Sequence, residues 1–458
     1  MMKTNSYPLA RKGEQVDDYH GVKVSDPYRW LEDLDSNETR SWVEAENKQS
    51  FGFLDAIPAR ATIKDRLTKL WNYEKYGVPF KEGNRYFYTR NSGLQNQSVL
   101  YTVSSLDGQP RQVLDPNTLS TDGTVALSGM QISNDGKLLA YSLSASGSDW
   151  QEWRVRDVDT GKDLSDHLTW VKFSGVSWLR DNSGFFYSRY DEPKSEALKA
   201  TNYFQKVYFH KLGTPQTEDV LVYERPDQKD WLFGGSVTED GNYLIIPIFQ
   251  GTDSKTRVYY KDLRAKDSAV VKLLDDFDAA YNFVGNDGTR FWFQSDLQAP
   301  LGKIIEIDVT RPERANWKTL VSESKEALQT TTVVNHKFIL NYLKDSYTQV
   351  RIHDTSGKLL TSIQLPGIGS ADGFGGKTTD TETFYSFTGF TTPTTIFRYD
   401  AATGKSTVFR QPKVDFNSTD FETRQVFFKS KDGTRVPMFI TYKKGIKLDG
   451  NNPTYLYG

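Results

Sequence analysis

From about residue 75 to residue 412, apolar and polar residues alternate over short runs that end in Asp-Gly, Asn-Asp-Gly or Ser-Gly turns. Period-two alternation broken by turn residues is the pattern of half-buried strands joined as hairpins. The unit of turn plus apolar strand recurs as "KEGNRYFYTR" at Gly83, "SNDGKLLAYSL" at Gly136, "RDNSGFFYSRY" at Gly184, "TEDGNYLIIPI" at Gly241 and "GNDGTRFWFQS" at Gly288. Weaker copies follow in "VVNHKFILNYL" and "TTDTETFYSFT". These anchors make seven units of about fifty residues, a period typical of propellers and arrays. A second turn stands about 25 residues after the first, at Gly108, Gly161, Gly357 and Gly404. Two hairpins per unit make a four-stranded blade, so residues 75–412 are expected to form a seven-bladed β-propeller. A large β-sandwich, or two stacked β domains, is the alternative.

The flanks read differently. Residues 1–74 form an N-terminal segment, helical after an extended opening. In "SNETRSWVEAENKQSFGFL" Ser36 and Asn37 can cap a helix with Trp42, Val43 and Phe51 as its apolar contacts. In a second helix, with Pro58 near its start, Ile63, Leu67, Leu70 and Trp71 fall on one face, which is expected to pack on a partner surface. After Gln411-Pro412 two alternating strands surround the turn Lys431-Asp432-Gly433, and "NNPTYLYG" closes the chain as a further apolar strand. Residues 413–458 therefore read as the opening strands of a new sheet, cut short.

Charge and composition remove several classes of function. A net charge of −2 without long runs of one sign offers no footprint for nucleic acid or an anionic membrane. No cysteine is present, which excludes disulfides, thiolate metal sites and a cysteine nucleophile. The opening run "MMKTNSYP" lacks the apolar core of a secretory signal, and no stretch approaches the roughly 18 apolar residues of a membrane span. A cytoplasmic location is expected, or a periplasmic one if a leader has been removed.

The chemistry-bearing patterns are mostly negative. His20, His167, His210, His336 and His353 are scattered, without the i, i+4 spacing of a helical metal pair, and read as ordinary blade or surface histidines. No G-x-S-x-G occurs, so the elbow that exposes a nucleophilic serine is missing from these residues. "GIGSADGFGGKTT" (367–379) resembles a phosphate loop but has Ala371 where the first glycine belongs, and reads as an inter-blade loop. "DVDTGKD" (157–163) lacks the spacing of a calcium loop and reads as a hairpin turn. No metal or cofactor is expected.

Longer strings carry a resemblance. "VSDPYRWLED" (24–33), "NYEKYGVPF" (72–80), "LQNQSVLY" (94–101), "GSDW" (147–150), "VKFSGVSW" (171–178) and the final "YLYG" resemble the prolyl oligopeptidase family. The resemblance implies a serine endopeptidase that cleaves short peptides after proline and is monomeric when complete. Its seven-bladed propeller would cap an α/β-hydrolase domain formed by residues 1–74, residues 413–458 and a part not contained here. The catalytic Ser, Asp and His would lie in that part, so residues 1–458 alone are expected to be inactive, and the strands after about residue 420 would leave an incomplete sheet with an unpaired edge, so poor solubility is expected. "NNPTYLYG" would be the third strand of the hydrolase sheet. By the same resemblance Phe173 would line the pocket for the residue two before the substrate proline, with Phe233, Phe249 and Thr252 near that pocket and Asp149 facing the catalytic domain. Phe249 and Thr252 stand where some members have arginine and cysteine. A noncatalytic binding scaffold, or a related oligopeptidase of basic or dipeptidyl preference, are the competing readings. The first would need neither the N-terminal helices nor the terminal strands.

Overall fold

The computed structural model describes residues 7–193, 202–265 and 267–458, so the first six residues of the opening run lie outside it. The chain divides into two compact units, Met1–Asn72 and Tyr73–Gly458.

In the first unit an antiparallel hairpin, Val16–Tyr19 with Val22–Ser25, precedes the helices Asn37–Asp55 and Arg60–Trp71. Ser36 caps the first helix as expected, its Oγ accepting the Thr39 N–H. Trp42 meets the edge of Trp30, whose indole N–H donates to the Arg11 carbonyl. Arg29, from the motif at 24–33, is clamped between Asp17 and Asp26. Along the second helix Ile63, Leu67 and Trp71 are all more than half exposed. At twelve residues it presents a single apolar stripe, and no buried residue lies along it.

The second unit contains seven four- or five-stranded antiparallel sheets, each built from strands contiguous in sequence. Blade 1 spans Lys75 to Leu114, blade 2 Val125 to Val171, blade 3 Val176 to Tyr223 and blade 4 Trp231 to Leu274. Blade 5 spans Tyr281 to Val321, blade 6 Ala327 to Ile363 and blade 7 Ser370 to Arg410. This is the seven-bladed β-propeller expected from the repeats. Second strands are apolar on both faces, as in "YLIIPIFQ" (Tyr243–Gln250), because each blade is sandwiched between neighbours. The cores are accordingly shared: Trp153, Val155 and Leu168 of blade 2 form one cluster with Trp178, Phe185 and Tyr187 of blade 3. Blade 7 meets blade 1 through Tyr86, which donates to Glu382 and stacks edge-on with Phe384, and through the Lys377–Glu82 ion pair.

Antiparallel order sends successive connections to alternating faces. The glycine turns that repeat in the sequence join first to second and third to fourth strands, and emerge on what we term the lower face. One of them is sterically committed: a Cβ on Gly357, at φ +92°, would stand 1.9 Å from the Leu320 carbonyl oxygen of blade 5. Connections between second and third strands, and crossings to the next blade, emerge on the upper face.

Residues at the lower ends of the first strands of blades 1 to 4, with the segment 375–377 of blade 7, line a cavity of about 400 Å³, Glu82, Trp178, Arg180 and Lys377 among them. The glycine-rich run 367–379 corrects the sequence reading here. It is not simply an inter-blade loop, because Ser370–Gly373 pairs with Glu382–Gly389 as the first strand of blade 7. Ala371 is buried against the blade core, which fixes that register. The run then passes the lower mouth, where the Thr378 N–H and hydroxyl donate to Glu239 of blade 4.

Beyond the blades, Phe421–Lys429 and Arg435–Lys443 pair over their whole length as the expected hairpin. It meets the upper face of blades 6 and 7: Gln425 donates to the Asp345 carbonyl, Arg435 pairs with the Asp345 carboxylate at 3.2 Å, and Phe439 packs on Phe390. "NNPTYLYG" does not form the expected strand, and Tyr455, Leu456 and Tyr457 are exposed. A strand needs a neighbour to satisfy its amides, and none lies beside these residues among those described.

Candidate functional site

The five candidate residues all fall at the upper ends of blades 2 to 4. Asp149 lies between the second and third strands of blade 2, and Phe173 in the crossing from blade 2 to blade 3. Phe233 ends the segment Trp231–Phe233 at the start of blade 4, Phe249 is the last residue but one of the second strand of that blade, and Thr252 follows in its loop.

The Phe173 crossing is shaped by a bulge. Trp153 pairs with Leu168 but Gln151 pairs with Val171, so Thr169 and Trp170 together oppose Glu152. Trp170 (φ +60°) and Phe173 (φ +57°) both adopt the left-handed region, which costs about 1–2 kcal/mol per non-glycine residue. Several hydrogen bonds hold them there. Tyr190 N–H donates to the Trp170 carbonyl (3.0 Å), Gln205 Nε2 to the Lys172 carbonyl (2.9 Å), and Ser188 N–H to Ser174 Oγ (2.8 Å).

The outcome is an aromatic ring pushed outward beside a cation. Phe173 is 57% exposed, and Lys172 Nζ stands 5.5 Å from its centroid, 5.0 Å from the Trp150 ring and 3.8 Å from Asp149 Oδ2. Trp150 in turn meets Trp170 and Tyr190 edge-on. An exposed ring flanked by a half-buried ammonium and a carboxylate suits a ligand with apolar side chains along a polar backbone.

Blade 4 is built around Pro247. It has no N–H to give the first strand, which breaks opposite it into Trp231–Phe233 and Ser236–Val237, with the Gly234 N–H donating to the Pro247 carbonyl at 2.9 Å. Phe233 is only 2% exposed and packs edge-on against Tyr223, so its ring belongs to the core rather than to a pocket wall. Phe249 pairs with Leu232 and is half exposed, and Thr252 is exposed.

The structure thus joins Asp149, Lys172 and Phe173 directly, and links Phe173 to Phe233 through one buried side chain. Gln205 holds the Lys172 carbonyl with its NH₂ and accepts the Phe233 N–H at 2.6 Å with its Oε1. No hydrogen bond joins Thr252 to the other four among the described residues. Lys172 stands inside "VKFSGVSW" beside Phe173, and nothing in the sequence around Gln205 signals its role. Gln205→Met is expected to cost about 1–3 kcal/mol, since it leaves buried backbone groups unpaired at near-constant volume. Denaturant unfolding checks this, and a change below 0.5 kcal/mol, well under about 1 kcal/mol for a hydrogen bond, would contradict it.

Among the described residues no group of three or more His, Asp or Glu could hold a metal ion, and no helix is long and apolar enough to cross a membrane. One histidine is nonetheless unusual. His210, in the third strand of blade 3, is fully buried with Nδ1 2.7 Å from Asp219 and Nε2 3.0 Å from Asp166 of blade 2. Burial pulls its pKa down, but hydrogen bonds and charge from the two aspartates outweigh that and hold it at about 9. Asp166 is held below the usual carboxylate range, burial being outweighed by the His210 and Gly213 N–H donors.

Fold and site together define a seven-bladed propeller of contiguous blades, with an aromatic, charge-flanked patch on the face that also carries an appended hairpin. The chain belongs to the prolyl oligopeptidase family: residues 7–412 match the family model "Prolyl oligopeptidase, N-terminal beta-propeller domain". It is 42% identical over 452 residues to the prolyl endopeptidase of Elizabethkingia meningoseptica, covering 98% of this chain and 63% of that protein. To prolyl oligopeptidase A of Amanita bisporigera it is 33% identical over 497 residues, covering 99% and 65%. A solved prolyl endopeptidase superposes with a TM-score of 0.89 at 33% identity, covering 96% of this chain and 65% of that one. Prolyl oligopeptidase B of Galerina marginata, bound to a 35mer hydrolysis and macrocyclization substrate, superposes at 0.87 with 30% identity, covering 97% and 66%. The chain therefore spans a little under two thirds of the length of these relatives.

Proposed function

We propose that residues 1–458 supply the propeller and flanking strands of a serine endopeptidase that cleaves short peptides after proline. The likeness to prolyl endopeptidases along nearly the whole chain carries this reading. In it, residues 75–412 form the propeller that lines and gates the substrate cavity, while residues 1–74 and 413–458 pack into the hydrolase domain. The exposed helix face at Ile63, Leu67 and Trp71 and the upper-face hairpin support that division.

The reaction is acyl transfer: a serine attacks the prolyl carbonyl, a histidine takes and returns the proton, and fixed N–H donors stabilise the oxyanion. Those groups come from residues beyond 458 in this reading, since residues 1–458 hold no G-x-S-x-G. What this chain contributes is positioning. Phe173 receives the side chain two before the proline, Lys172 and Asp149 flank it with opposite charges, and Phe249 and Thr252 border the same cavity. Phe233 acts only by holding blade 4 beneath them.

An acyl-Gly-Pro reporter tests the reading. Residues 1–458 alone should give no turnover, and the protein carrying them together with its hydrolase part should give turnover abolished stoichiometrically by a serine-reactive phosphonate. Phosphonate-titratable turnover by residues 1–458 alone would contradict it.

A further inference from the structure

The buried imidazole of His210 lies on the far side of a polar relay from the Phe173 crossing. Both ring nitrogens face carboxylates, which only accept, so both must carry protons for the two contacts to be hydrogen bonds. Asp219 Oδ2 then accepts the Tyr187 hydroxyl at 2.5 Å. With its single proton spent on Asp219, the Tyr187 oxygen accepts from Gln216 Nε2 at 3.1 Å. That fixes the orientation of the Gln216 amide. Its NH₂ also donates to the Thr169 carbonyl (3.0 Å), and its Oε1 accepts the Thr169 N–H (3.1 Å) and hydroxyl (3.2 Å). Thr169 is the first residue of the bulge that turns Trp170 and Phe173 outward.

The geometry points to His210 as a positioning residue for the upper face, holding the Trp170–Phe173 segment through Asp219, Tyr187 and Gln216. It rests on the reading of that face as the peptide-binding surface, and adds to it a control from outside the cavity. Two left-handed aromatic residues need an external clasp, and the Gln216 amide is a two-point clasp on the backbone immediately before them. The other end of the relay is anchored across a blade junction, since Asp166 belongs to blade 2 and also accepts the Gly213 N–H. The groups facing the imidazole are Asp166 from the outer strand of blade 2, Asp219 ahead of the outer strand of blade 3, and the Phe185 ring from the second strand, with Tyr187 and then Arg189 beyond Asp219. The second oxygen of Asp166 has no hydrogen-bond partner among the described residues, so a neutral imidazole would leave a buried carboxylate almost uncompensated. Asp219 would then be pulled toward water, and the Tyr187 proton would lose its acceptor.

Hydrogen exchange on residues 1–458, read as protection of the 169–173 amides after correction for intrinsic rates, tests the relay alongside ¹³Cε1 shifts of labelled histidine. One imidazole should titrate near pH 9, and protection of the segment should fall at least tenfold through the same midpoint. Tyr187→Phe and Gln216→Met cut the relay while sparing the buried ion pair, so they remain usable if His210 variants fail to fold. Both should lower protection at pH 7 at least fivefold and abolish its pH step, while His210 still titrates. Unchanged protection in both variants, or a titrating His210 with no step in the segment, would overturn the proposal. Loss of protection in Gln216→Met with an unchanged KM for a reporter carrying a third residue would keep the relay and contradict the peptide-face reading instead.

Discussion

Phe233→Ala is expected to destabilise the propeller by about 3–5 kcal/mol, the usual range for a large aromatic removed from a closed core. The ring is enclosed by Trp231, Ile246, Ile248 and Tyr259, and stacks edge-on with Tyr223. Blade 4 is already interrupted at Gly234 opposite Pro247, so little backbone is available to collapse into the cavity. Phe173→Ala removes a ring of the same size that is mostly in water, and should change stability by about 0.5 kcal/mol or less. Denaturant midpoints at constant m-value separate the two. Equal losses for both variants would mean that Phe233 is not core.

His210→Ala should cost a similar amount, about 3–5 kcal/mol, because it leaves two buried carboxylates, one on each side of the lost ring, without their cation. The same pair makes stability depend on pH in a fixed direction. The folded pKa, about 9, lies above the ordinary value of 6.5. The contribution is therefore complete below about pH 6.5, declines as pH rises, and is lost above about pH 9, with a size on the order of 3 kcal/mol. Asp166 acts oppositely, since its depressed pKa gives stability that is lost only as pH falls through the acid range. Unfolding free energy measured from pH 6 to 10 should fall for the parent protein more steeply than for His210→Ala. Parallel curves would rule out a charged imidazole.

The contrast between these residues shows what the sequence could reveal. The propeller was legible because the lower-face turns need glycine or Asn-Asp pairs at fixed intervals, and Gly136, Gly241 and Gly357 mark them. Upper-face connections do not repeat, so Phe173 and Asp149 were accessible only through resemblance, and the bulge at Thr169–Trp170 left no periodic trace. His210 read as an ordinary blade histidine because its partners lie 9 and 44 residues away, the second in another blade. Phe233 was placed near the pocket only by resemblance, and its burial in blade 4 shows why: a short apolar string cannot say which side of a strand faces the core. The strand expected at "NNPTYLYG" finds no pairing strand among the described residues, and alternation of apolar and polar positions alone does not say which neighbour would supply one.

On the proposed function, whether the upper face of blades 2 to 4 selects substrate is tested most directly by Phe173→Ala in a protein carrying residues 1–458 together with its hydrolase part, assayed with two reporters. One is acyl-Gly-Pro, and the other carries an added apolar residue before the glycine. Loss of one aromatic contact, about 1–2 kcal/mol, should lower kcat/KM for the longer reporter by about five- to thirtyfold, mainly through KM. The shorter reporter should change less than about twofold, because it does not reach Phe173. Equal loss for both reporters, or no loss for either, would contradict a peptide-selecting role for this face.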